Sequence, residues 1–249
     1  MRYCIHLAYN GTRFHGWQKQ PNAQSVQSCV EDSLQKIIRE SIEIIGAGRT
    51  DSGVHASCYY VHVDIFHPIS IQDIVYKLNK MLPSDIVIYE MFEVSADFHA
   101  RFSALWRTYT YTLSLKKNPF TQETAWYYPY PLDIQRMNLA ARVLFDYVDF
   151  SSFSKLHTDV LNNNCTVTHA CWNSVEDTLV FTITANRFLR NMVRAITGTL
   201  IDVGRGTITI QQFREIIESK NRQNAGTSIP AHGLCLVDIG YDWQLFRNI

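Results

Sequence analysis

Hydrophobic positions recur with two different periods along the chain. After Ser25 they recur every three or four residues, which predicts an amphipathic helix that Ser25 caps and that ends near Arg39. Its apolar positions are Val26, Val30, Leu34, Ile37 and Ile38. Between residues 57 and 65 the period is two, which predicts a half-buried strand. Its apolar positions are Tyr59, Val61, Val63 and Ile65, and His62 is interpreted as a satisfied residue of the polar face.

The first part of the chain has the predicted element order β-α-β-β-α-β. The predicted strands are 2–9, 42–47, 57–65 and 85–94, and the predicted helices are 25–39 and 70–82. This order is typical of a ferredoxin-like unit, in which two helices cover one face of an antiparallel sheet. The other face of the sheet is then expected to remain available.

The second part repeats this order with longer connections. Predicted strands are 105–114, 165–175, 178–186 and 234–241, with helices at 133–145 and 188–203 and an added helix at 209–219. We therefore predict an α+β fold of two ferredoxin-like halves, residues 1–97 and 98–249, with a substrate cleft between them. The longest segment without a predicted element, 148–164, is interpreted as a mobile loop over the substrate.

Composition indicates a folded protein with a substantial core. The chain has 249 residues, of which 46% are hydrophobic and 18% charged, and it contains no apolar run long enough for a membrane span. A strand pattern begins at Arg2 without a preceding apolar signal, so we expect no export. Six cysteines without a Cys-x-x-Cys pair predict reduced thiols and a cytoplasmic location.

Net charge by itself argues against a nucleic-acid partner. The 23 basic residues balance 23 acidic ones, whereas nucleic-acid-binding proteins usually have a basic excess. The arginines, however, concentrate in the segments that carry candidate site residues, and a local field can hold phosphate without a net charge. They are Arg101, Arg107, Arg187, Arg190, Arg194 and Arg205.

The polar segment from Gly46 to Ala56 is the strongest candidate for a site. It reads Gly-Ala-Gly-Arg-Thr-Asp-Ser-Gly-Val-His-Ala and connects two predicted strands. Asp51 lies between Arg49 and Gly53, a pattern that suits a carboxylate presented on a tight turn beside a guanidinium. The same pattern also fits an ordinary Asx-turn without chemistry.

Two further sets of residues suggest binding. Strand alternation places Arg107, Tyr109 and Tyr111 on one face, which suits a stacking platform but also fits an ordinary core. Arg187, Arg190 and Arg194 are predicted to share one face of the helix 188–203, which fits either a phosphate-binding surface or a solvated charged face.

These segments resemble motifs of the tRNA pseudouridine synthase A family over nearly the whole chain. The nine residues Gly48 to Ala56 resemble the family's nucleophile motif, with Asp51 at the position of its essential aspartate. The other matching segments are Tyr9-Asn10-Gly11, Phe14 to Gln20, Ser25-Val26-Gln27, His99 to Ala104, Arg107 to Tyr111, Asn186-Arg187-Phe188 and Met192-Val193-Arg194.

The resemblance implies an isomerase that converts uridine to pseudouridine in the tRNA anticodon stem-loop, at positions 38, 39 and 40. It implies that Asp51 is nucleophile or base, that Tyr109 stacks on the uracil, that Arg194 pairs with Asp51 and that Leu234 lines the uracil pocket. Arg49 is the candidate to replace the flipped nucleotide. It also implies a homodimer that binds tRNA across both subunits. The lack of metal-ligand and cofactor motifs in the sequence predicts chemistry without cofactor or metal. Further predicted RNA-binding residues are Phe98, His99, Ala100, Arg101, Phe102, Arg107, Arg187 and Arg190.

Two other functions remain open from the residues alone. Ferredoxin-like sheets with exposed aromatic residues also serve as non-catalytic RNA-binding modules, in which Asp51 would be dispensable. A glycoside hydrolase would need a second carboxylate, and none stands near Asp51 in a matched motif. No metal-ligand spacing, phosphate-binding glycine loop or serine-nucleophile motif occurs in the sequence.

Overall fold

The computed structural model describes residues 1–155 and 162–247, and these form two compact units. The first contains Met1–Leu105 and the C-terminal residues from Leu236 onward, and the second contains Trp106–Cys235. The division therefore differs from the predicted one after residue 97. The reason is that the C-terminal segment returns to the first unit, where the Tyr241 hydroxyl donates to the Ala100 oxygen at 2.6 Å.

Residues Met1–Leu105 of the first unit combine an antiparallel sheet with two helices. In chain order their elements are β1 (Arg2–Tyr9), α1 (Val26–Ile38), β2 (Ile44–Gly46), β3 (His55–Asp64), α2 (Ile71–Met81) and β4 (Ile86–Val94). β1 lies between β4 and β3, and β2 pairs with the C-terminal part of β3. All predicted elements of this half are confirmed within a few residues. Ser25 caps α1 in a reciprocal capping box with Ser28, as its position before the apolar repeat predicts.

The described part of the second unit contains a mixed sheet and three α-helices. Its elements are β5 (Trp106–Ser114), β6 (Trp126–Tyr127), α3 (Ile134–Arg142), β7 (Val167–Val175), β8 (Thr178–Ala185), α4 (Met192–Gly204) and α5 (Ile210–Glu218). β8 lies between β5 and β7 in antiparallel pairing, and β6 runs parallel to β5. The chain closes with β9 (Leu234–Gly240) and α6 (Trp243–Phe246). The protein is thus a mixed α/β structure, as expected.

Helix α4 begins later than the sequence pattern predicts. Its first residue is Met192, and Asn191 before it has a φ of 67°, in the left-handed region. The prediction of a helix from residue 188 is therefore wrong over its first turn. The apolar stripe itself is confirmed, because Met192, Ile196 and Leu200 are all fully buried.

The segment predicted to be a mobile loop, 148–164, has ordered ends. Asp149 and Asn164 form an isolated β-bridge, and the rings of Phe150 and Phe153 are fully buried. These contacts contradict mobility for the described parts of the segment. Residues 156–161 lie outside the described residues.

The face of the first sheet opposite α1 and α2 is partly covered, contrary to expectation. Phe98 packs against Trp243 and Phe246, with ring centroids 5.6 and 5.4 Å apart. The Arg247 guanidinium lies 4.1 Å above the Phe92 ring. The sequence pattern missed this cover because a single helical turn such as α6 has no measurable period. Among residues 1–155 and 162–247, the structure contains no helix with the length and apolarity needed to cross a membrane.

Candidate active site

The loop that carries Asp51 connects β2 to β3. The two strands pair in antiparallel register, and Ala47 extends this pairing by donating its N–H to the Tyr60 oxygen at 2.9 Å. Asp51 itself begins a tight turn, in which its main-chain oxygen accepts from the N–H of Val54 at 3.1 Å. Gly53 has a φ of 76°, which glycine adopts without strain. Asp51 is half-buried at the start of this turn.

A second loop, between β1 and α1, supports the Asp51 loop through its main chain. The Phe14 oxygen accepts from the Gly53 N–H at 3.3 Å and from the Ser52 hydroxyl at 3.2 Å. Gly16 has a φ of 86°, and a Cβ at this position would lie 2.4 Å from the Thr50 oxygen. Only glycine therefore allows the two loops to approach this closely. The matching segments around Gly11 and Phe14 are thus structural support for the Asp51 loop.

The other polar residues of the loop differ in exposure. Arg49 is exposed, which its predicted contact with RNA requires. His55, in contrast, is buried, and its Nδ1 accepts from the Gly11 N–H at 3.0 Å. His55 is therefore a structural residue that joins the two loops, although it lies within the nine-residue motif.

Sequence reasoning missed the roles of two residues that contact this loop from inside. Tyr9 and Tyr59 direct their hydroxyls at it, the first toward the Thr50 hydroxyl and the second toward the main chain of Gly48. Strand alternation indicated only that Tyr59 is buried. The available signal was that a buried tyrosine usually has a hydrogen-bond partner for its hydroxyl.

The segment 98–102 contains both buried and exposed members. Phe98 and Ala100 have no exposed surface, so their side chains do not face solvent, contrary to the prediction that they contact RNA. Arg101 and Phe102 are exposed, and the Arg101 guanidinium lies 5.4 Å from the Phe102 ring centroid. Phe102 in turn packs on His99, with centroids 4.4 Å apart. The exposed end of this stack is therefore Arg101 with Phe102.

Two histidines, His99 and His62, lie on the inner side of Phe102. His62 is buried, accepts from the Ala100 N–H at 3.2 Å, and lies 4.8 Å from the His99 ring. Burial lowers the pKa of His62 to about 4, and the positive charge of Arg2 acts in the same direction. Repulsion from His99, once that ring is protonated in acid, also lowers it. Burial also lowers the pKa of His99. The prediction that His62 is a hydrogen-bonded residue is confirmed, but the ring is buried and not on a solvated polar face. Both rings are neutral at physiological pH.

In the second unit, β5 presents one buried tyrosine and one half-buried tyrosine. Tyr111 is fully buried, and its hydroxyl donates to the Pro230 oxygen at 2.8 Å, so it belongs to the core. Tyr109 is half-buried, and its ring meets that of Phe188 edge-on at 5.3 Å. Arg107 donates to the Asn186 oxygen at 2.9 Å. Two motifs about 80 residues apart in sequence therefore meet around Tyr109.

The three arginines predicted to share one helical face do not do so. Arg187 and Arg190 precede α4, which begins at Met192, and only Arg194 lies within the helix. Arg187 is half-buried and Arg190 is exposed. Arg194 is half-buried, and its Nε donates to the Ile229 oxygen at 2.7 Å. The prediction that the three arginines share one helical face is wrong because the left-handed conformation of Asn191 interrupts the helix.

Leu234 is the first residue of β9 and is 6% exposed. Gly233 before it packs closely on Tyr111, where a Cβ would lie 2.6 Å from the phenol ring. Leu234 is thus a largely buried apolar residue, which fits either a pocket wall or an ordinary core position.

Comparison with known proteins gives matches to both units. The sequence profile of a family described as tRNA pseudouridine synthase matches residues 5–103 and 140–242. The tRNA pseudouridine synthase A of Parabacteroides distasonis is 53% identical over 248 residues, which cover 98% of each chain. The protein of that name from Bacteroides thetaiotaomicron is 50% identical, over 99% of this chain and 93% of its own. The protein of that name from Bacillus pumilus is 38% identical, over 97% of this chain and 100% of its own.

Proposed function

Because the chain belongs to the tRNA pseudouridine synthase family and isomerises uridine in tRNA, we propose that Asp51 is its catalytic residue. The observation that carries this proposal is the position of Asp51. Asp51 is half-buried and begins a turn whose main chain is held by the loop of Phe14 and Gly16. Such support keeps a reacting group in one place, which is what catalysis requires and an ordinary surface turn does not.

The reaction rearranges the nucleoside without adding or removing atoms overall. The N1–C1′ bond breaks, the uracil turns while it is held, and C5 bonds to C1′. The proton on C5 is then lost, and N1 gains one. Asp51 initiates this sequence either by attack on the nucleoside or by removal of a ribose proton, and both roles need an ionised carboxylate.

The substrate uridines proposed for this enzyme are positions 38, 39 and 40 of the tRNA anticodon stem-loop. A base in a stem is not accessible to a carboxylate, so the nucleotide must leave the helix. Arg49 is exposed two residues before Asp51, and this position suits a side chain that occupies the vacated place. Its five N–H donors can bind both neighbouring bases and phosphate.

Uracil recognition is assigned to residues of the second unit. Tyr109 offers a half-buried ring braced by Phe188, a geometry that suits stacking on a base. Leu234 is proposed as an apolar wall of the uracil pocket. Arg194 is proposed to stabilise the ionised form of Asp51, because a guanidinium near a carboxylate lowers its pKa.

Charge distribution supports tRNA binding despite the neutral chain. Unit 2 contains 13 Lys and Arg against 10 Asp and Glu, a net charge of +3, whereas unit 1 contains 10 against 13, a net charge of −3. Contacts with the RNA backbone are proposed for Arg107, Arg187 and Arg190 in unit 2. In unit 1 they are proposed for Arg101, Phe102 and His99, the accessible members of the segment 98–102.

The proposal extends to the assembly and the location. We assign a homodimer that binds one tRNA across both subunits, in the cytoplasm, where tRNA is modified. We also propose that both halves have a ferredoxin-like fold, and the order β-α-β-β-α-β supports this for the first unit. Analytical ultracentrifugation of the purified chain, with and without tRNA, tests the dimer, and a monomer in both samples would contradict it.

The experiment that tests the proposed function compares the wild type with Asp51→Asn on unmodified tRNA. Pseudouridine is mapped by position, and tRNA affinity is measured in parallel. We expect product at the anticodon stem-loop with the wild type only, and similar affinities for both proteins, because an amide cannot replace a carboxylate in this chemistry. Turnover by the variant within about tenfold of the wild type would contradict the role of Asp51. Binding without product from either protein would favour an RNA-binding module.

A further inference from the structure

Three aromatic side chains pack beneath the Asp51 loop. Tyr9 of β1, Trp17 of the loop before α1, and Tyr59 of β3 are each at most 4% exposed. The Trp17 and Tyr59 ring centroids lie 4.3 Å apart, and Tyr9 meets Tyr59 edge-on at 5.6 Å. Phenylalanine would pack equally well at the two tyrosine positions, so their hydroxyls require a separate explanation.

The hydroxyl of Tyr59 binds both main-chain groups of Gly48. It donates to the Gly48 oxygen and accepts from the Gly48 N–H at 3.3 Å. The absence of a side chain at Gly46 makes room for this contact, since a Cβ there would lie 2.5 Å from the Tyr59 hydroxyl. A Cβ added to Gly48 itself would meet nothing within 4 Å, so Tyr59 holds this residue while its outer side stays open.

The hydroxyl of Tyr9 holds the next support point of the loop. Its Oη lies 2.9 Å from the Thr50 Oγ1 in a buried hydrogen bond. The main-chain oxygen of Thr50 also accepts from the Trp17 N–H at 3.2 Å. The chain is thus tied at residue 48 and again at residue 50, immediately before Asp51.

We infer that Tyr59 and Tyr9 are positioning residues for Asp51, an inference that rests on the catalytic role proposed above. The Tyr59 hydroxyl holds the main chain of Gly48, and the Tyr9 hydroxyl holds the side chain of Thr50. Together they keep the segment before Asp51 in one conformation, which sets the direction of the Asp51 carboxylate. A catalytic group must stay within roughly 0.5 Å of its productive position, so loss of these bonds slows the chemical step. Binding of tRNA does not depend on this alignment, because it is spread over many phosphate contacts.

Tyr59→Phe and Tyr9→Phe test the inference, since each removes one hydroxyl and keeps the ring. With enzyme in excess over tRNA, the single-turnover rate constant should fall about tenfold to a hundredfold. The affinity for tRNA should stay within about twofold. Rates are measured at a temperature at which thermal unfolding curves show every variant fully folded, so that a loss of stability does not imitate a loss of alignment.

Variants of Thr50 examine the same bond from its other end. Thr50→Val should reproduce the rate of Tyr9→Phe, whereas Thr50→Ser keeps the hydroxyl and should retain the wild-type rate. The double variant Tyr9→Phe/Thr50→Val should be no slower than either single variant, because all three lack one and the same bond. Tyr3→Phe is the matched control: Tyr3 is a buried tyrosine of β1 whose hydroxyl contacts the Met1 sulfur, and rate and affinity should not change.

The outcomes separate this inference from the proposed function. An inactive Asp51→Asn together with wild-type rates for Tyr59→Phe and Tyr9→Phe would overturn the positioning role alone. An active Asp51→Asn would remove the catalytic role of Asp51 and the inference with it. Affinity that falls in parallel with the rate in Tyr59→Phe and Tyr9→Phe would also overturn it, because this result indicates a general structural role.

Discussion

Arg194 donates a hydrogen bond from its Nε to the main-chain oxygen of Ile229, at 2.7 Å. Ile229 follows a loop that Arg222 organises, through bonds to the oxygens of Ala225 and Gly226 and to the Ser228 hydroxyl. The guanidinium of Arg194 is therefore fixed at its Nε atom by this hydrogen bond. Its direction depends on a loop 35 residues further along the chain.

This geometry predicts different effects for two substitutions of Arg194. Arg194→Lys keeps the positive charge but has no Nε donor in a planar fork, whereas Arg194→Gln loses the charge. If Arg194 stabilises the Asp51 carboxylate, the single-turnover rate constant of Arg194→Gln should be about tenfold or more below that of Arg194→Lys. The tRNA affinities of the two variants should be similar. Equally reduced rates for the two variants would show that only the bond to Ile229 matters. Single-turnover assays and tRNA titrations provide the comparison.

Replacement of Tyr109 separates ring stacking from hydroxyl chemistry. Tyr109→Phe keeps the ring beside Phe188, whereas Tyr109→Leu removes the stacking surface, which is worth about 1–3 kcal/mol per base. We therefore expect Leu to be the slower variant. Tyr127→Leu, at an exposed tyrosine of β6, is the control and should keep the wild-type rate. Wild-type rates for both Tyr109 variants would exclude Tyr109 as a stacking surface for the uracil.

Salt dependence tests how a chain without net charge holds a polyanion. Arg187 and Arg190 lie in the segment before α4 and are proposed to bind phosphates. If each neutralises one phosphate, Arg→Gln at either position should lower the slope of log affinity against log salt by roughly one unit. Arg214→Gln is the control, because Arg214 forms a surface ion pair with Asp146 at 2.8 Å. Slopes that match the wild type for both test variants would place these arginines outside the RNA contact.

Acid should destabilise the first unit through His62. The pKa of His62 in the folded protein, about 4, lies below the value of about 6.5 for an unfolded chain. Between these values the unfolded state binds more protons, so stability is fully present above pH 6.5 and is lost as the pH falls toward 4. The difference between the two pKa values corresponds to roughly 3 kcal/mol of unfolding free energy at most.

His62→Asn tests this pH dependence. The amide oxygen of asparagine can accept the Ala100 N–H in place of Nδ1 but does not titrate. Urea unfolding between pH 4 and 7 should therefore give a flatter stability profile for the variant than for the wild type. His169→Asn, at an exposed histidine of β7, controls for removal of a histidine and should leave the profile unchanged. An equally steep profile for His62→Asn would assign the acid sensitivity to other groups.

The sequence by itself determined the elements whose signal is local. The apolar repeat after Ser25 placed α1, and alternation around Tyr59 placed β3, because burial of one face imposes the period of the element on the chain. It also placed Asp51 on a loop between two strands. The motif around Asp51 indicated the family, since the chemistry requires particular residue types within a few positions of each other.

Only the tertiary structure decided which of the residues in each motif are exposed. Phe98 and Arg101 belong to one matched region, yet the first is fully buried against the C-terminal segment and the second is exposed. The left-handed turn at Asn191 moved Arg187 and Arg190 out of α4. The contact between the Tyr59 hydroxyl and Gly48 was also invisible in the sequence. These features depend on contacts between residues distant in sequence, and a periodic pattern contains no information about which distant residue supplies the partner.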